Sequence, residues 1–119
     1  TMASIEVTAS EVGKLDAWVD FNQDGDWTGM GEQIFTDEAL VAGVNNLSFS
    51  VPASAAEGLT FARFRLSTAG GLSPTGLAAD GEVEDYQVEI IANSFSVDDP
   101  MVAEADGNIT FTITRSVNT

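Results

Sequence analysis

The chain has 119 residues, room for one domain with a core, and carries 4 Lys and Arg against 19 Asp and Glu for a formal charge of −15. That field repels nucleic acid and anionic membranes, and the absence of Cys and His removes thiolate and imidazole catalysis, disulfides and zinc or copper sites with N/S ligands. Hydrophobic residues make up 44 % of the chain and alternate with polar ones, so the sequence predicts a folded β domain rather than a disordered acidic segment.

Thr1-Met2-Ala3-Ser4 reads as vector-derived, no signal peptide is legible, and no apolar run approaches the ~20 residues of a membrane span. The chain is expected to be a piece of a larger secreted or cell-surface protein. The first clear period-2 segment is 15–21, with Leu15, Ala17, Val19 and Phe21 on one face and Asp16, Trp18 and Asp20 on the other. Its end runs into Asp20-Phe21-Asn22-Gln23-Asp24-Gly25-Asp26. Asp20, Asn22 and Asp24 stand at alternate positions that send oxygens toward one centre, and Gly25 stands where the backbone must turn sharply.

The spacing matches the acidic half of a calcium loop, but a strand precedes it and the closing carboxylate, Glu32, falls one position late for an EF-hand. It is read as a calcium loop on a β scaffold, with Asp26, a backbone carbonyl, Glu32 or a distant segment completing the shell. The competing reading is an Asn/Asp/Gly turn held by its own side-chain to backbone hydrogen bonds. Four carboxylates in thirteen residues repel one another without a cation, which favours Ca²⁺. A module without disulfides also needs another staple for its loops.

Farther along, Asp37–Leu40 and Ser54–Glu57 are the only helical turns the pattern suggests. Leu47, Phe49 and Val51 alternate with serines, and Ala62, Phe64 and Leu66 alternate with Phe61, Arg63 and Arg65. Turn-rich segments lie at 51–58 and 69–81. Next comes Gly81-Glu82-Val83-Glu84-Asp85-Tyr86, where Glu82 and Glu84 share the parity of Tyr86, Val88 and Ile90 and therefore point coreward. Coreward carboxylates need partners. Arg63 and Arg65 are candidates, as is a cation shared with the Asp20 loop, for which Asp85 or Glu84 is the reserve ligand. A boundary is placed near Ala92-Asn93-Ser94. The last stretch, in which Phe111 and Ile113 alternate with threonines, either completes the main sheet or begins a truncated neighbour.

These segments predict an all-β fold, an antiparallel sandwich of jelly-roll type. Gly81–Tyr86, together with Lys14–Trp27, Gly31–Phe35 and Phe61–Ser67 in the same order, resembles the GEVED domain over about residues 5–92. The resemblance implies a sandwich module of large bacterial extracellular proteins with no established enzymatic activity. The tail, Ser94–Pro100 with Ala103-Glu104 and Ile109–Arg115, resembles the opening strands of a Calx-beta domain, with the rest of that domain missing. The expected function is a non-catalytic, calcium-stabilised spacer or adhesion module of a surface protein, with neighbouring sandwich domains as partners. The alternative is a calcium-dependent carbohydrate-binding module stacking polysaccharide on Trp18 or Trp27, with Trp18 expected to be exposed from its parity.

Overall fold

A computed structural model describes residues 2–29, 31–75, 82–91, 94–105 and 111–118. They form eight strands and no helix: β1 (Met2–Ala9), β2 (Gly13–Val19), β3 (Gln33–Leu40), β4 (Gly43–Ser50), β5 (Gly58–Ser67), β6 (Glu82–Ile91), β7 (Ser94–Ala105) and β8 (Phe111–Asn118). All pairs are antiparallel, in a three-stranded sheet of order β4-β1-β8 and a five-stranded sheet of order β3-β2-β5-β6-β7. The chain therefore passes between sheets at β1–β2, β3–β4, β4–β5 and β7–β8. The fold is all-β and sandwich-like, as the alternation predicts.

The core lies between the inner faces. Ala3, Ile5, Val7 and Ala9 of β1 face Leu15, Ala17 and Val19 of β2, Ala62, Phe64 and Leu66 of β5, and Tyr86, Val88 and Ile90 of β6. Phe35 of β3 meets Phe49 of β4 edge to face at 5.9 Å, which closes the sandwich on one side. Each large side chain so buried contributes about 1.5–3 kcal/mol relative to exposure.

Met2–Ser4 lie within β1, with Ala3 fully buried opposite Phe49. Other expectations change here. Asp37–Leu40 is strand, not helical turn: Asp37 takes a positive φ of 51° and shifts the register, which hides the alternation of β3. Ser54–Glu57 is not helical either; it begins within a turn closed by Ala55 N–H donating to Pro52 O at 3.0 Å. The boundary near 92–94 falls between two hydrogen-bonded neighbours, since β7 pairs with β6, and β8 pairs with β1. The tail strands thus join both sheets.

The outer face of the five-stranded sheet is covered where period-2 reasoning leaves it open. Segment 70–75 crosses it as a strap. Asp16, buried on that face, accepts N–H bonds from Asp37 (3.0 Å) and Leu72 (3.2 Å). Arg65 donates through one terminal nitrogen to Ser73 O (2.8 Å) and Thr75 O (3.1 Å), and Arg63 donates to Pro74 O (3.0 Å). Two of the chain's four cationic side chains therefore hold three consecutive carbonyls. The strap starts at Gly70 (φ +72°), where a Cβ would lie 2.5 Å from Asp37 Oδ1, so only glycine fits. Trp18 shares this face and is 3 % exposed. Its parity is outward as expected, but on that face it is buried, so it is not a surface ligand platform.

Candidate functional site

The acidic loop leaves β2 at Asp20 and returns at Glu32, just before β3. Its base is fastened to the sheet: Val19 N–H donates to Glu32 O (2.8 Å), Asp20 N–H to Phe61 O (3.0 Å), and Thr60 Oγ1 to Asp20 O (2.7 Å). Its flank is held by Gln23, which takes φ 57° and donates through Nε2 to Ala56 O and Glu57 O, both at 3.1 Å. Neither Gln23 nor Thr60 stands out in the sequence, because their partners are backbone carbonyls 33 to 40 positions away.

Within the loop, side chains hold the backbone. Asp20 Oδ1 accepts from Asp24 N–H (3.2 Å) and Oδ2 from Gly25 N–H (2.9 Å), with Gly25 at φ +86°. Asn22 Oδ1 accepts from Asp24 N–H (3.2 Å), and Asp24 Oδ1 from Asp26 N–H (3.0 Å). Glu32 reaches back to accept from Gly29 N–H (3.1 Å) and Asn22 N–H (3.3 Å). A Cβ at Gly29 would stand 3.0 Å from the Glu32 carboxyl, so a larger residue there would push that carboxyl aside by a few tenths of an ångström.

Three carboxylates converge. One oxygen from each of Asp20, Asp24 and Glu32 lies within 4.8 Å of the others, and this group could hold a metal ion. Asp20 and Glu32 are buried, at 6 % and 1 % exposure, while Asp24 is exposed. A carboxylate oxygen that accepts one N–H keeps further lone-pair capacity, so the hydrogen-bonded turn and a cation site are compatible.

The remaining sequence candidates are placed elsewhere. Asp26 is exposed and caps its own turn, accepting from Thr28 N–H (2.9 Å) and Thr28 Oγ1 (3.0 Å). Asp85, the reserve ligand of the sequence reading, takes a bidentate pair from Arg63, Nε to Oδ1 and the terminal nitrogen to Oδ2, each at 2.8 Å. Glu84 is buried as its parity predicts, and the Tyr86 hydroxyl donates to it. Because Glu84 faces the core while Arg63 lies across the strand pair from Asp85 on the outer face, Asp85 is the partner of Arg63. The Glu82 side chain lies outside the described residues. Trp27, within the loop, is half-buried with the Arg63 guanidinium 5.4 Å from its ring centroid.

Burial pushes the Glu32 carboxyl above its ordinary 4.5; the N–H groups of Asn22 and Gly29 pull it back, and the charge and hydrogen bond of Asp20 raise it again. A raised folded value means that Glu32 favours the fold below its ordinary pKa and loses that contribution as pH rises through the folded value. A cation needs the ionised form, so it competes with this proton. Any cation-dependent rise in melting temperature should therefore shrink as pH falls from 7 toward 4.5. Melting curves with and without chelator across that range test this; a pH-independent difference would remove Glu32 from the site.

Among the described residues no helix is long and apolar enough to cross a membrane. No curated protein and no solved structure matches the chain. A family model, that of the GEVED domain, matches residues 14–89, which run from the start of β2 nearly to the end of β6 and take in the acidic loop, both arginines of β5 and the Glu82–Tyr86 stretch. On that match, covering well over half its length, the chain belongs to the GEVED domain family.

Proposed function

We propose that this domain is a non-catalytic, calcium-binding sandwich module of an extracellular or cell-surface bacterial protein, in which Ca²⁺ fixes the 20–32 loop and the domain serves as a spacer or adhesion unit. The observation that carries this reading is the convergence of Asp20 and Glu32, both buried, with Asp24 in a chain of charge −15. Two buried carboxylates within reach of a third are costly without a counter-charge. An all-oxygen donor set suits a hard divalent cation, and Ca²⁺ tolerates irregular shells and long loops better than Mg²⁺.

Calorimetric titration of the chelated domain with CaCl₂ tests it. One equivalent should bind, and Asp24→Ala, an exposed change, should abolish the heat; a wild-type domain that takes up no calcium would end the proposal. The carbohydrate alternative is left with Trp27 alone, one side of whose ring faces Arg63. It would need a Trp27 fluorescence response to polysaccharide. The likeness of residues 94–115 to a Calx-beta opening fits a parent protein built of sandwich repeats, although the pairing of β7 and β8 favours their membership of this domain.

A further inference from the structure

The acidic loop, the Glu82–Tyr86 stretch and the strap come from three separate parts of the sequence, and one side chain touches all three. The Arg63 guanidinium lies over Trp27 of the loop, grips Asp85 of β6 with two nitrogens, and donates with the third to Pro74 O of the strap. Trp27 sits between Asp24 and Glu32 in the chain, so where its ring rests constrains the path the backbone takes between those carboxylates. Asp85, Arg63 and Trp18 occupy adjacent positions on β6, β5 and β2. The loop's outer wall is thereby referenced to the middle of the sheet.

We propose that Arg63 is the positioning residue of the acidic loop, holding Trp27 in place by using Asp85 and the strap as anchors. The geometry asks for arginine specifically. A planar guanidinium can present its edge to a carboxylate in a two-bond fork while its face lies on an aromatic ring; an ammonium offers neither the fork nor the flat face. The contact is only partly exposed, with the side chains of Arg63 and Asp85 at 25 % and 27 %, so solvent weakens the ion pair without removing its directional role. This positioning role stands on geometry alone; its consequence for affinity rests on the calcium reading above.

The test is amide exchange of residues 21–31 together with the near-ultraviolet dichroism of the tryptophans, in wild type, Arg63→Lys, Asp85→Asn, Trp27→Leu and the Arg63→Lys/Trp27→Leu double variant. In chelator, Arg63→Lys should speed loop exchange about tenfold, with core amides of β5 and β6 little changed. Asp85→Asn, which does not touch the loop, should do the same to a smaller degree and shift the Trp27 signal. The Arg63→Lys and Trp27→Leu effects should be less than additive. With CaCl₂, affinity should fall about three- to tenfold in Arg63→Lys. Unchanged loop exchange and dichroism, additive effects, or equal acceleration of loop and core would each overturn the proposal. If wild type binds no calcium, only the affinity arm fails, and the chelator measurements still decide. Should Arg63→Lys not fold, Asp85→Asn against Trp27→Leu decides the same question: loop exchange unchanged in Asp85→Asn would overturn the role of Arg63.

Discussion

Replacing Arg65 with methionine should lower the free energy of unfolding by about 3 kcal/mol. Arg65 is 4 % exposed, and one of its nitrogens holds both Ser73 O and Thr75 O. Directly across the strand pair is Asp16, 1 % exposed, whose oxygens hold Asp37 and Leu72. Methionine fills a similar volume but donates nothing, so it leaves the strap carbonyls of Ser73 and Thr75 without their donor and Asp16 facing a neutral side chain. The 73–75 end of the strap loosens. Urea unfolding should show the loss. A change under about 1 kcal/mol would mean that the strap's backbone contacts hold without the guanidinium.

Calcium should raise the melting midpoint by about 10 °C. For a site of Kd about 10⁻⁴ M in about 10 mM calcium, binding to the folded state alone stabilises it by about 2.7 kcal/mol, and each kcal/mol moves the midpoint of a domain this size by several degrees. Variants separate the parts. Asp24→Ala should abolish the shift and leave the calcium-free protein nearly unchanged, because Asp24 is exposed. Glu32→Gln should behave differently: the chelated protein keeps or gains stability at pH 7, because the charge that burial penalises is gone, while the calcium-loaded protein loses most of its advantage. Scanning calorimetry with elemental analysis decides it. Coincident curves in calcium and chelator, with no bound metal, would reduce the loop to a hydrogen-bonded turn.

Alternation was enough to locate β2, β4, β5 and β6, because each buries one face regularly. It failed for β3, where Asp37 at positive φ breaks the period, and for β1, whose Ala3-Ile5-Val7-Ala9 stripe is regular but begins in residues that resemble a vector scar. The convergence of Asp20, Asp24 and Glu32 was legible in the loop spacing. What local spacing cannot say is how each remaining oxygen is occupied: Asp26 turns to its own backbone, Asp85 to Arg63, and Glu84 to Tyr86. No local spacing marks the strap. Yet Asp16, Trp18, Arg63 and Arg65 all share one face, and a face carrying a tryptophan, two arginines and an aspartate is a face that another segment can cover.

The pairing of β1 with β8 sets Ala3 opposite Asn118 and Ala9 opposite Phe111, so the outer ends of these two strands emerge side by side from one end of the sandwich. Tension applied at residues 2 and 118 would open this pair like a zipper, loading one hydrogen-bonded rung at a time, instead of shearing all rungs together. Under such a pull the three-stranded sheet takes the load first. The acidic loop and the strap, both on the five-stranded sheet, lie off that line of load and would be the last parts to feel a pull.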